Sequence, residues 1–333
     1  MKKKFKFTYN MALFTICVVL FVIFGCFNRN FFTFNYIMDM LKLNTEIGIM
    51  ALPLTLLIIM GCIDFSLCSV LSLSASLGGI VAVTSGSAVV GLLVALIVGV
   101  ACGMFNGLMV SSLKLPPLIT TLATMYLYKG IAKGVTLASW GTNVATTPIA
   151  TALGATNILG IPTQLWLIAV LAIVLSKTVY GRTLYAIGLN ENATRFAGIN
   201  VVKIKFFTYM LAGLIFSLAG QVLMGRFSTM QYDSADSYQM QVIIVCVLGG
   251  ADMNGGRGTI GGTLLGTLVI AILKGGMNAV ALPQTQQKII LGVVLLISLI
   301  TFQIIAEHDL KAKGRARMEA AAAEHAAKIA KQG

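Results

Sequence analysis

Asp64 is the residue with the clearest capacity for chemistry. It stands in Gly61-Cys62-Ile63-Asp64-Phe65-Ser66-Leu67, where two apolar runs meet with almost no loop, and no other acidic residue occurs between Glu46 and Glu191. A carboxylate beside a membrane span is costly and marks a functional site by default. Two roles stay open. Asp64 caps the helix predicted to start at Phe65, at the cytoplasmic surface, or it helps to pass a polar solute, with Gly61, Ser66, Thr120, Thr121 and Asp252 as companions. The threonines Thr120, Thr121 and Thr124 carry the same ambiguity: they line a path or bond the carbonyls of their own helix. Asp252 enters through an internal echo in which Ile59 to Asp64 resembles Val247 to Asp252, with Gly78 over Gly266.

No other constellation points to catalysis. The cysteines at 17, 26, 62, 68, 102 and 246 sit in or beside apolar runs without metal-site spacing, and the two histidines, His308 and His325, are near the C-terminus. No metal and no cofactor are expected, and a membrane enzyme lacks its clustered acids, bases and nucleophiles. Gly255-Gly256-Arg257-Gly258 has no GxxxxGK[ST] pattern and is not a phosphate loop.

The elements that hold these residues follow from composition. Of 333 residues, 57% are hydrophobic and 11% charged, against about 25% charged in soluble domains, and the mean hydropathy is +0.90. Lipid must be the solvent for much of the surface. Taking about 20 apolar residues per crossing, the chain predicts an all-α bundle of ten spans: 8–27, 46–63, 65–84, 87–110, 116–138, 163–180, 206–224, 239–252, 259–278 and 288–306. The first reads as a retained anchor because it lacks a small-residue cleavage site. The net charge of +13 is no nucleic-acid footprint, since no basic stripe with interleaved aromatics occurs. Placing both termini in the cytoplasm leaves seventeen of the 24 basic residues inside. Arg29, Lys42, Lys129, Lys133, Arg226, Lys274 and Lys288 then fall outside or at outer span ends, the asymmetry expected of N-in/C-in.

A permease domain, 1–306, is thus expected before a cytoplasmic tail, 307–333, in which Glu324 and Lys328 are a favourable i,i+4 pair. Residues 139–162 form an external loop, and 181–205 form the longest internal connection. In the latter, Asn190 is a predicted N-cap with Glu191 in the first turn. Ala193, Phe196 and Ala197 share a face, and Gly198 ends the turn. Glycines at four-residue spacing, Gly99, Gly103 and Gly107 in the fourth span and Gly258, Gly262 and Gly266 in the ninth, predict close helix contacts.

Four stretches resemble the sugar branch of the binding-protein-dependent ABC permeases, which serves ribose, galactose, xylose, rhamnose and autoinducer-2. Gly61 to Ser69 is similar to GGIDLSVGS, and 114–130 (KLPPLITTLATMYLYKG) to the family's fifth-span entry. Residues 186–201 (AIGLNENATRFAGINV) resemble AIGxNxxAAxxxGINV, and 247–262 resembles VLGGxxxxGGxGxxxGT. Cys62 and Cys68 replace glycine and Thr194 replaces alanine, changes expected to alter close packing. The stretch IGIMALPLTLLIIMGCIDFS looks nearest to autoinducer-2 and rhamnose permeases. The resemblance implies a bacterial inner-membrane importer subunit without covalent chemistry of its own. It also implies a second permease chain, identical or related, cytoplasmic ATPase subunits and an external solute-binding protein. The ATPase would dock on the loop that contains Gly188, Asn190, Glu191, Ala193, Arg195, Phe196 and Gly198. The competing class is a secondary transporter driven by an ion gradient, which would need more intramembrane ionisable groups than Asp64 and Asp252.

Overall fold

The computed structural model describes residues 9–139, 144–177, 180–297 and 300. The predicted tail, residues 298–299 and 301–306 of the last predicted span, and 140–143 of the external loop lie outside them. The chain divides into two compact units, Met1–Gln287 and Lys288–Gly333, and the architecture below is that of the first.

In chain order the helices are α1 (Tyr9–Phe27), α2 (Phe34–Lys42), α3 (Thr45–Ile59), α4 (Leu67–Ser85), α5 (Ala88–Gly107), α6 (Pro117–Ser139) and α7 (Pro148–Gly154). They continue as α8 (Thr163–Lys177), α9 (Tyr180–Leu189), α10 (Glu191–Phe196), α11 (Val201–Phe227), α12 (Gln239–Leu248) and α13 (Ile260–Ala279). Two antiparallel ladders of two residues per strand join Val144–Ala145 to Thr229–Met230 and Asn157–Ile158 to Ile161–Pro162. Polar caps set several starts. Ser87 accepts from Val90 N, Asn200 from Lys203 N and Thr259 from Gly262 N, each satisfying a donor that the first helical turn leaves unpaired.

All 15 residues of α3 are buried. A helix that is apolar on every side belongs in the centre of a bundle, and α3 packs against α8, α11, α12 and α13. Around it, α5 lies against α4 and α11 with backbones almost touching. A Cβ on Gly103 would stand 2.3 Å from the Tyr209 carbonyl oxygen, and one on Gly99 2.5 Å from that of Gly213. Gly107 meets Phe206 at 3.0 Å, and Gly262 and Gly266 meet the Gly249 and Val245 carbonyls at 2.0 and 2.4 Å. Gly258 is not part of that row, because α13 starts only at Ile260.

Among the described residues, five helical stretches are long and apolar enough to cross a membrane: α1, α4, α5 with its π-helical extension to Ser112, α11 and α13. Counting each of the bent pairs α2–α3 (49°) and α8–α9 (66°) as one span raises the number to as many as seven. The expected ten are not all of this kind. Helix α6 has the length, 23 residues, but too few apolar side chains to qualify. The apolar helices Asp236–Leu248 and Gln284–Ile297 are shorter than the ~20 residues that cover a ~30 Å core. The seventh predicted span also starts early: capped by Asn200, α11 takes in Lys203 and Lys205, which an apolar window excludes.

These contacts give a packing test. Gly103→Leu and Gly262→Leu force a side chain into a neighbouring backbone and should cost at least ~1–3 kcal/mol. Val100→Leu, at a half-exposed site, should be mild. Thermal unfolding in detergent measures this, and equal tolerance at the three positions removes the close-contact account.

Candidate functional site

Helix α3 is buried along its length but ends at an exposed glycine, Gly61, and the backbone groups freed there need partners. Gly61, at φ +75°, makes the left-handed turn that closes it. Gly61 N donates to Ile58 O (2.8 Å) and Cys62 N to Leu57 O (2.9 Å), the paired bonds of a Schellman ending. Asp64 follows, only 2% exposed. Its Oδ1 accepts from Ser66 N (2.7 Å) and Ser66 Oγ (2.6 Å). The Ser66 oxygen in turn accepts from Asn106 Nδ2 at 2.8 Å. The Tyr128 hydroxyl lies 3.1 Å from both Asn106 Oδ1 and the Cys102 carbonyl, with one proton to give to either.

The expected cap is thereby corrected. α4 begins at Leu67 with Ser66 at the capping position, and Ser66 makes no side-chain capping bond. Asp64 is buried and holds the turn together, tying α4 to α5 and α6 through Ser66 and Asn106. Thr120 and Thr121 are buried and bond the Pro116 and Pro117 carbonyls of their own helix at 2.9 and 2.8 Å, Thr121 also lying 3.3 Å from Ile63 O. Asn106 and Tyr128 were not among the sequence candidates, although Asn106 is the only amide side chain in the fourth predicted span.

Helix α12 ends in the same way. Gly250 (φ +85°) donates to Val247 O at 2.9 Å and Ala251 N to Cys246 O at 3.0 Å. The two endings superpose Gly61 on Gly250, one residue out of step with the sequence echo, so Asp64 and Asp252 are not equivalent. Half-buried Asp252 accepts from Asn254 N at 2.9 Å. The following loop uses φ +89°, +77° and +143° at Gly255, Gly256 and Gly258, and Gly256 N donates to Ile59 O at 2.8 Å. The ends of α3 and α12 are thus bonded to each other.

A third segment joins them. A Cβ on Gly188 would lie 1.9 Å from Ile59 O and 2.4 Å from Gly256 N, so α9 touches both endings, and Tyr185 donates its hydroxyl to Gly258 O. The segment 181–205 is accordingly a helical hairpin rather than a loop around one short helix. Asn190 caps α10 by accepting from Ala193 N at 2.9 Å, and Gly198, at φ +83°, ends it. Glu191 accepts from Arg195 Nη2 (3.0 Å) and from Lys205 Nζ of α11 (2.6 Å). Burial alone would push the Glu191 carboxyl up, but the bonds and charges of Lys205 and Arg195 outweigh it and hold the pKa below the usual carboxylate range. Thr194 is buried and bonds Asn190 O at 2.8 Å. Leu189, Ala193, Phe196 and Ala197 face outward, Phe196 with 90% of its surface exposed.

At its other end α3 carries a group that sequence reading missed. Glu46, fully buried, accepts from Arg226 Nε at 2.6 Å, and Arg226 donates from Nη2 to the Tyr238 hydroxyl at 2.8 Å. Its signal was a glutamate opening an apolar run, with the only arginine of α11 far away in sequence.

A buried polar turn between apolar helices, close glycine contacts and an outward hairpin wired to two helix ends define a polytopic helical membrane protein of the transporter class. Residues 36–299 match the family of the branched-chain amino acid transport system permease component, and the chain belongs to that family. It is 35% identical over 290 residues to the ribose import permease protein RbsC of Escherichia coli K12, covering 85% of this chain and 90% of that protein. It is 32% identical over 302 residues to the L-arabinose transport system permease protein AraH of the same organism (87% and 89%). With the autoinducer 2 import system permease protein LsrD of Enterobacter sp. strain 638 it shares 30% over 300 residues (88% and 92%). No solved structure matches. The protein is therefore a multi-pass membrane permease of the bacterial ABC type, the permease component rather than the ATPase.

Asp64→Asn keeps an acceptor for Ser66 N and should retain most of the stability, whereas Asp64→Ala leaves buried Ser66 and Asn106 without it, at ~1–3 kcal/mol. Thermal unfolding of the two variants checks the order, and equal loss in both would show that the charge itself is required.

Proposed function

We propose that the chain is the translocation subunit of an ATP-driven importer for a small sugar-like solute, of ribose, rhamnose or autoinducer-2 type. Two permease chains, identical or related, would pair, ATPase subunits would bind beneath them, and an external binding protein would deliver the solute. The observation that carries this reading is the α9–α10 hairpin. Its apolar face, with Phe196 exposed between small Ala193 and Ala197, has no cover within the described residues, while its root at Gly188 presses on the ends of α3 and α12. A subunit gripping that face would move both helix endings at once. Family membership supports the same place for ATPase docking, and the ribose and arabinose relatives favour a monosaccharide-sized solute.

The ten-span, N-in/C-in arrangement belongs to this reading. The seven apolar spans become ten if α6 crosses with one side against protein or water and the short helices Asp236–Leu248 and Gln284–Ile297 complete the set. Both termini and the α10 end of the hairpin then lie in the cytoplasm, the side that holds most Lys and Arg. Alternating access would follow from ATP-dependent differences in the contacts that the partner makes with the hairpin.

Ala193→Asp would bury an unpaired carboxylate in the docking groove, which is strongly disfavoured, and Phe196→Ala would remove its anchor. Both variants should insert normally and lose ATPase co-purification and ATP-dependent uptake. Normal association in both overturns the docking assignment, and uptake driven by a proton gradient without ATP would instead establish the secondary transporter. A reporter active only outside the cell should work when fused after Thr156 and be silent at the C-terminus. Activity at the C-terminus overturns the orientation.

A further inference from the structure

Of Lys129 and Lys133, both expected outside or at an outer span end, Lys129 stands instead in the middle of α6, and Lys133 one turn further toward its C-terminal end. Lys129 is near the centre of its 23 residues, roughly 17 Å from either end at 1.5 Å per residue. It pairs with Asp236 while both side chains stay partly open, at 34% and 47% exposure. Lys133 lies 5.6 Å from the Tyr232 ring centroid. On α6 itself Tyr126, Lys129, Gly130 and Lys133 follow one another at i, i+3, i+4 and i+7, which is one stripe of the helix. Tyr126 is 71% exposed, and a Cβ on Gly130 would meet nothing within 4 Å.

With α6 crossing as in the importer reading, Lys129 stands near mid-depth, and charges there do not face hydrocarbon; they face a bundle interior or a water-filled cavity. The outer side of α5 makes the contrast, with Val89, Val90, Leu93 and Ile97 exposed and no charge among them. The α6 stripe is open within this chain, so water or another molecule must meet it. Its chemistry is specific: a carboxylate acceptor, ammonium donors and two phenol rings around a bare glycine. Hydroxyl groups bond to the first two, and the C–H face of a sugar ring lies on an aromatic surface.

Resting on the importer reading above, we propose that Tyr126, Lys129, Gly130 and Lys133 of α6, with Tyr232 and Asp236, line the water-filled path of the solute and bind a neutral polyhydroxyl compound of monosaccharide size. The ion pair keeps each charge compensated while the path is empty. A solute hydroxyl can take the place of either partner, and Gly130 leaves room for its ring.

The test uses cysteine variants in intact cells and a charged methanethiosulfonate that does not cross membranes, with modified sites mapped by mass spectrometry. Tyr126→Cys and Lys133→Cys should react at least about tenfold faster than Ile97→Cys on the apolar side of α5, since the reagent does not enter lipid. Thr156→Cys, outside the spans, and native Cys26, exposed on α1, report reagent delivery and background. Buried Cys62 and Cys102 should stay unmodified, and their reaction would mark a misfolded variant, for which Gly130→Cys is then substituted. D-Ribose or L-arabinose should slow the reaction, and leucine should not. Reaction at α6 no faster than at Ile97 overturns the path, whether lipid or a protein partner covers the stripe. Reaction that neither sugar slows, or that leucine alone slows, overturns the polyhydroxyl site. Labelling needs no ATPase, so the path can fail while the ATPase still co-purifies, and the importer reading can fail while labelling persists.

Discussion

Backbone N–H and C=O groups freed at a helix end need new partners, and wherever water does not reach them the chain must supply these itself. The endings of α3 and α12 are governed by this need. Each is closed by a glycine in the left-handed region, and the loop after α12 bonds to the end of α3: Ile59 O takes the amide of Gly256, and Gly255 and Gly258 lie against Gly61 and Ile59. Because the partners come from different segments, neither ending can move alone. Gly188 adds α9 to the same junction at a separation that leaves no space for a methyl group. A hairpin that would otherwise be a surface appendage is thereby joined to the most deeply buried helix of the protein.

The opposite end of α3 is held by electrostatics. The Glu46–Arg226 pair is nearly inaccessible, and in such places removal of one partner costs ~3–5 kcal/mol, although the intact pair adds little net stability over apolar packing. Its effect is to define a register. With Glu46 fixed to α11 at one end and Ile59 to Gly256 at the other, α3 behaves as a rod between two anchored ends. The polar set around Asp64 works in the same manner on α4, α5 and α6: one carboxylate oxygen, the hydroxyls of Ser66 and Tyr128 and one amide connect three helices.

Between these anchors the bundle relies on contact without side chains. Gly99, Gly103 and Gly213 bring α5 and α11 within backbone distance, and Gly262 and Gly266 do the same for α13 and α12. Apolar surface gains nothing by leaving lipid for another helix, so association depends on close van der Waals fit. Small residues supply that fit, in contrast to the glycines of α6, Gly130 and Gly134, which face open space.

The sequence alone determined that the chain lives in a membrane, that it is mostly helical, and where most apolar helices run, because hydropathy and length are local properties. It also determined the α10 cap, since Asn190, Glu191 and Gly198 act within a few residues of one another. The glycine rows and the place of Asp64 between two spans were legible in the same way. Only the tertiary structure decided what those residues touch. Asp64 became a buried tie rather than a surface cap because Asn106, far off in sequence, donates to the same Ser66 hydroxyl that Asp64 accepts from. Gly258 left its expected row because α13 starts only at Ile260, which leaves Gly258 in the loop beside Ile59 at a positive φ. The Glu46–Arg226 pair, the Gly188 contact and the mid-helix position of Lys129 with Asp236 join residues with no sequence proximity. Their pairing depends on how whole helices pack, and no local pattern of apolar and polar residues encodes that.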